Sequence, residues 1–359
     1  MSYSLATIHD TFIKIMTPTV KRPLIGLMLG DPTGIGPEVA LKLLARPETH
    51  AQAKILIVGD VRVFESTVQE LGIALKPFLV ESAADIDWQR LKANEIAFID
   101  LANMDPNQVK RGVFDASIGW QVGKTLHELT ALALKGEIDA VCFAPLHKAA
   151  INRGGWKYLD EHAMFAAWNE HKGYYGEVNI IPQFCTFRVT SHVSLRQVVD
   201  LVTPERIRGA IKLAHTVLNG LGHDKPRIGV AALNPHAGES GLFGDEEITI
   251  IRPTIESLNH EGFQTEGPYP SDTVFLKAKG GQLEAVVIMY HDQGQIATKL
   301  LGFSEGVTLT GGLKTIYTTP AHGTAYDIVG QNKANPGAMI KAFEVAVRLA
   351  NQRQTVSLM

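Results

Sequence analysis

The stretch Val286-Val287-Ile288-Met289-Tyr290-His291-Asp292-Gln293-Gly294 decides the fold. A run of apolar residues gives way to Tyr290, His291, Asp292 and Gln293, so it reads as a buried strand that delivers polar side chains into a loop at its end. In open α/β sheets, ligands gather outside the carboxyl ends of the strands. Two other stretches repeat the design. Arg188-Val189-Thr190-Ser191-His192 closes a short strand with a histidine, and residues 228–236 (IGVAALNPH) do the same, with Asn234 and Pro235 just before His236. One strand-end histidine is usually structural or merely solvated. Three of them, each flanked by small or polar residues, make His192, His236 and His291 candidates to hold one divalent metal. Neutral imidazoles suit zinc and other borderline metals, and magnesium, manganese or cobalt stay open beside zinc.

Working outward, strands alternate with helices. Residues 24–29, 54–58, 97–100, 139–144, 186–189, 227–233, 285–289 and 306–310 read as strands. Helices are expected from Pro37, over 61–71, 117–135, 204–218, 246–261 and 338–352. This alternation implies a largely parallel sheet flanked by helices. Residues 151–180 carry no clear period. No Pro/Gly/Ser linker divides the chain, so one domain inserted in another is expected. Residues 23–150 with 310–359 would form a cofactor-side α/β domain, and 151–309 a metal, substrate and dimerisation domain.

The chain has 359 residues, 45% of them hydrophobic and 20% charged, with a net charge of −3. That fits an ordinary globular protein with a large core. Neither sign of charge is blocked together, which argues against nucleic-acid binding. No stretch approaches the ~20 apolar residues of a membrane span. Cys142 and Cys185 sit in apolar runs and read as buried free thiols, suited to a reducing cytoplasm. Residues 1–22 read as an N-terminal extension, because Lys14 interrupts their longest apolar run.

Gly30-Asp31-Pro32-Thr33-Gly34-Ile35-Gly36-Pro37-Glu38 follows the first strand. Its glycines match neither the dinucleotide fingerprint nor the P-loop. Either it is a tight turn that needs glycine dihedrals, or Asp31 and the helix start face the cleft. Gly59-Asp60 lies where a ribose-binding acid would sit, but lacks the glycine fingerprint. More specific is His322-Gly323-Thr324-Ala325-Tyr326-Asp327-Ile328-Val329-Gly330, followed by Ala334-Asn335-Pro336. It resembles the loop by which isopropylmalate and isocitrate dehydrogenases hold the adenosine half of NAD or NADP. By that resemblance His322, Gly323, Thr324, Ala325, Asp327 and Asn335 bind cofactor. An aspartate suits the ribose hydroxyls of NAD and repels a 2′-phosphate, so Asp327 favours NAD.

These blocks come in order with Ala144-Pro145-Leu146-His147-Lys148 and Asp272-Thr273-Val274-Phe275. Together they resemble the 4-hydroxythreonine-4-phosphate dehydrogenase family of vitamin B6 biosynthesis, from about residue 24 to 350. The resemblance implies a two-domain isocitrate/isopropylmalate dehydrogenase-like fold with the active cleft between domains. It also implies a homodimer whose metal site, His192, His236 and His291, is shared across the dimer interface. His162 and Lys299 match substrate-contacting residues. The family's threonine after the substrate histidine is Ala163 here, its asparagine falls on Thr308, and its phosphate-clasping arginine falls on Tyr317. Tyrosine cannot replace the bidentate grip of arginine. A paralogue acting on a different vicinal hydroxyl compound is therefore expected.

The expected chemistry is NAD-linked, metal-dependent oxidation of a secondary alcohol in a small hydroxy acid or diol, with CO2 leaving if a carboxylate lies β to the new ketone. Lys299, Asp272 or Asp292 would accept the hydroxyl proton. Three alternatives stay open: a cis-dihydrodiol carboxylate dehydrogenase of aromatic degradation, a hydrolase or lyase on the same three histidines, and a silent ligand-binding relative.

Overall fold

The computed structural model describes residues 22–302 and 304–357. The expected extension over residues 1–22 lies outside them, apart from Arg22. In the first half, β1 (Leu24–Met28) leads through the glycine turn to α1 (Gly36–Leu44) and α2 (Pro47–Gln52). Next come β2 (Lys54–Gly59), α3 (Val61–Leu71), β3 (Lys76–Leu79), β4 (Glu95–Asp100), α4 (Ala116–Leu134) and β5 (Ala140–Phe143). Helix starts follow local chemistry. Asp115 caps α4 by accepting from the Ser117 and Ile118 N–H groups, and Asp60 caps α3 through Arg62 N. Asp60 also accepts from Met104 N at 2.6 Å and pairs with Arg62 at 2.7 Å, so it is a buried structural acid.

The middle of the chain folds as α5 (Lys148–Gly154), α6 (Glu161–Trp168), β6 (Gly176–Ile180), β7 (Cys185–Arg188), α7 (Leu195–Leu201) and α8 (Pro204–Gly220). Then follow β8 (Ile228–Ala231), a π-helical turn over Glu247–Ile251, α9 (Arg252–His260), β9 (Thr265–Tyr269), α10 (Val274–Lys279) and β10 (Ala285–Ile288). The chain closes with α11 (His291–Gly302), β11 (Val307–Gly311), β12 (Tyr317–Pro320) and α12 (Gly337–Ser357).

The strands form one sheet in the order β3-β4-β2-β1-β5-β12-β11-β6-β7-β10-β8-β9. Both flanks are parallel, but β12/β11, β11/β6 and β6/β7 pair antiparallel. Three reversals between β12 and β7 mean that the two parallel flanks run in opposite directions. The cleft therefore cannot lie off a single carboxyl edge, as the strand-end rule suggested. It lies over the antiparallel centre, between the two flanks. Helix α12 returns to pack over β5, β12 and β11, and Met339, Phe343 and Ala346 are buried there. The boundary expected at residues 309–310 falls inside β11, which bonds to both β12 and β6. The halves share a strand and are not joined by a linker.

Residues 151–180 hold α6 and β6. Their lack of sequence period has a cause: α6 buries residues all round, including Glu161 and His162, so no polar face marks it. Residues 291–294, expected as a loop, open α11 instead. Gln293 makes that turn by accepting from Met289 N at 2.7 Å and donating to Ala232 O and Ser271 Oγ at 2.8 Å. Both cysteines are buried free thiols.

Candidate active site

A cleft of about 240 Å³ opens over β6 and β11. His192, just past β7, and His291, at the start of α11, both line it, with ring centroids 5.6 Å apart. Each ring is steered by a carboxylate. His192 Nδ1 donates to Asp160 Oδ2 at 2.5 Å, and His291 Nδ1 to Asp292 Oδ1 at 2.6 Å. Engaging Nδ1 leaves Nε2 of each ring available to a ligand, the arrangement that orients histidine ligands. Burial raises the Asp160 carboxyl, but hydrogen bonds from His192 and Ala163 N outweigh it and hold it at about 2.

The cleft floor is a network of buried charge. On β6, Glu177 and Asn179 point to the face they share with their β11 partners Thr310 and Thr308. Arg188 of β7 grips Glu177 with both terminal nitrogens, at 2.6 and 3.1 Å, and also donates to Asn179 Oδ1. His162 Nδ1 meets Thr310 Oγ1 at 2.7 Å, and its Nε2 lies 3.5 Å from Glu177. Lys148 binds Glu161 at 2.6 Å. Burial opposes charge on Glu177, yet His162, Arg188 and Lys148 hold its carboxyl well below the usual range. For His162, burial lowers the imidazole, but Glu161 and Glu177 outweigh it and raise it. Nothing in sequence spacing flagged Lys148, Glu161, Glu177, Asn179 or Arg188 as a set. The one signal was four ionisable residues, Glu161, His162, Glu177 and Arg188, inside otherwise apolar strand and helix segments.

The opposite wall is the 321–330 loop, of which Ala321, His322 and Gly323 line the cleft. Backbone contact fixes it: Ile35 N donates to Thr324 O at 3.0 Å. A Cβ on Gly34 would stand 2.5 Å from that oxygen, so only glycine lets the turn after β1 approach the loop. Further along, Glu38 accepts from Ala334 N at 2.8 Å, and Lys42 reaches Ala334 O at 2.8 Å. Asp31 lies behind the cleft wall, buried, and accepts from Thr33 N and Oγ1 at 2.9 and 2.6 Å; burial raises its carboxyl. Of the two readings of the Gly30–Glu38 turn, the structural one describes Asp31.

The cleft brings together His192, His291, Lys299, Thr308, His322 and Gly323. His162 lies directly beneath it, 4% exposed. Thr324 and Ala325 anchor the loop, while Asp327 and Asn335 are exposed beyond the cleft. His236 is also exposed and does not line the cleft, and among the described residues no single-chain cluster of three metal-ligating groups forms. Asp272 and Asp292 are exposed and outside the lining. Tyr317 shares the face of Thr310 but is roofed by Phe165, stacked at 4.0 Å, and its hydroxyl bonds Asn169 and Thr130 at 2.9 and 3.0 Å. It is a core residue at 1% exposure, not part of the cleft wall expected for it.

Two carboxylate-steered imidazoles and a glycine-bearing loop line one cleft of an α/β fold. The chain belongs to the family described as Pyridoxal phosphate biosynthetic protein PdxA, which residues 51–346 match. A D-threonate 4-phosphate dehydrogenase from Pectobacterium atrosepticum is 38% identical over 334 residues, covering 91% of this chain and 99% of that one. The crystal structure of a 4-hydroxythreonine-4-phosphate dehydrogenase from Klebsiella pneumoniae is similar at TM-score 0.78 and 34% identity, covering 91% of this chain and 99% of that chain. A terephthalate 1,2-cis-dihydrodiol dehydrogenase from Burkholderia xenovorans LB400 is similar at TM-score 0.64 and 25% identity, over 91% and 98%. Relatives over nearly the whole length are dehydrogenases by name, which supports an oxidoreductase.

Proposed function

We propose that this chain is a metal-dependent, NAD-linked dehydrogenase that oxidises a secondary alcohol of a small hydroxy acid or diol. The carrying observation is the convergence of His192, His291 and Lys299 with the His322–Gly323 segment on one cleft.

A divalent metal fits two carboxylate-steered imidazoles with free Nε2 atoms, and three imidazoles lean towards zinc. The third, His236, would come from a second copy of the chain. In support, an exposed leucine follows each histidine in sequence: Leu195 at 69%, Leu242 at 73% and Leu300 at 80% exposure. Surfaces of that kind mark association sites. A dinucleotide fits the opposite wall, where His322 and Gly323 border the cleft and Asp327 and Asn335 lie exposed along the same loop. A Cβ on Gly323 would meet nothing, so the loop surface there is open.

When bound, the metal supplies charge stabilisation at the reacting oxygen and NAD accepts the hydride. The chain's own residues do the rest. Lys299, the one of the three candidate bases that lines the cleft, takes the hydroxyl proton at Nζ. Asp160 and Asp292 hold the rings of His192 and His291 in register. A β-carboxylate on the substrate would leave as CO2.

The test is NADH production over a panel of hydroxy acids and diols, with and without chelator, beside metal analysis. Turnover lost on chelation supports the proposal; turnover without NAD would favour a hydrolase or lyase. The relation to the dihydrodiol dehydrogenase, with Tyr317 withdrawn into the core, favours a second reading in which the substrate is a cyclic cis-diol carboxylate.

A further inference from the structure

The cleft floor carries charges that neither metal nor cofactor chemistry needs. Glu177 and Arg188 are 8% and 4% exposed, and Glu161 is 7% exposed. Ion pairs so buried rarely add stability over apolar packing. Their placement at the far end of the cleft from the 321–330 loop gives them another use.

The cations nearest the floor already hold carboxylates, although Arg188 Nε and His162 Nε2 stay buried without a hydrogen-bond partner. Arg188 spends both terminal nitrogens on Glu177 and Asn179, and does not line the cleft. Lys148 lines it but is bound to Glu161 at 2.6 Å. Lys299 stands exposed at the rim, and the proposed chemistry commits its Nζ to the reacting hydroxyl. What the floor presents instead is Glu161, Glu177, Asn179, Gln295, Thr298 and Thr308. Glu161 Oε2 is buried without a partner. That acceptor needs a donor. A substrate hydroxyl can donate, whereas an ionised phosphate brings only acceptors and close to two negative charges.

We propose that the Glu161–Glu177–Arg188 network makes this cleft selective for substrates whose far end carries uncharged hydroxyls, and that it rejects their phosphate monoesters. The turnover part of this inference rests on the dehydrogenase reading; the binding part does not.

The experiment is calorimetric binding to the metal-supplemented full chain of matched pairs, four-carbon sugar acids and cyclic cis-diol carboxylates, each with and without a phosphate ester. NADH formation is followed in parallel. The hydroxyl member should bind about 100-fold more tightly, the scale set by like charges brought together in an interface. Glu177→Gln, which frees Arg188, should narrow that ratio at least about tenfold by strengthening the phosphate ester. If Glu177→Gln melts too low to assay, Glu161→Gln should shift the ratio the same way by freeing Lys148. Equal or tighter binding of the phosphate ester by the wild type overturns the inference. Preference for the hydroxyl member without NADH formation supports the inference and overturns the dehydrogenase reading instead.

Discussion

The two walls of the cleft are built by opposite means. The 321–330 wall is held by main chain and small residues: Ile35 N on Thr324 O, Gly34 tight against Thr324, and Glu38 with Lys42 bolting Ala334. The floor is held by charged side chains from four elements, α5, α6, β6 and β7, with Arg188 and Glu177 at its centre. A main-chain clamp tolerates any ligand of the right shape. A floor of buried charge discriminates by chemistry, because every unpaired group in it costs free energy. The proposed function puts the cofactor against the first wall and the substrate over the second.

That contrast can be broken by mutation. Arg188→Ala should have the largest effect, about 3–5 kcal/mol of stability, since it strands a buried Glu177 carboxylate. Urea denaturation checks it, and a loss below ~1 kcal/mol would mean the floor is more hydrated than described. Gly34→Ala should cost about 1–3 kcal/mol by overpacking against Thr324. It should also raise the KM for NAD more than it lowers kcat; an unchanged KM would detach the loop from cofactor binding. Tyr317→Phe should cost only about 1 kcal/mol, the hydrogen bonds to Asn169 and Thr130, because its ring packing on Phe165 remains.

A smaller signature lies in pH. His162 is raised above its ordinary 6.5, because the charges of Glu161 and Glu177 overcome burial. A group raised on folding stabilises fully below its unfolded value and loses that contribution as pH rises through the folded one. Thermal melts of the wild type should therefore decline above about pH 6.5, and those of His162→Gln should be flatter there. Parallel profiles would remove the charge from His162.

The same contrast explains what the sequence let one read. The main-chain wall was legible because close approach demands glycine at fixed spacing, and the Gly30–Glu38 and His322–Gly330 blocks carry that demand locally. Buried strands such as 286–289 were legible as apolar runs. The floor was not, because Lys148, Glu161, Glu177, Arg188 and Thr308 are far apart in sequence and meet only through the β6–β11 and β6–β7 pairings and the helices packed on them. The antiparallel centre was hidden for the same reason, since strand direction leaves no mark in composition. The family resemblance puts Tyr317 at the substrate, while Phe165, which roofs it, lies in the segment without period.

The central claim is a site made of His192 and His291 from one chain and His236 from a second. Subunit complementation tests it most directly. His236→Ala and His291→Ala are each expected to be inactive and metal-depleted alone. Mixed in one dimer, they should regain one intact site, with NADH formation and bound metal returning together. Mixed dimers that stay inactive and metal-free would contradict a shared site.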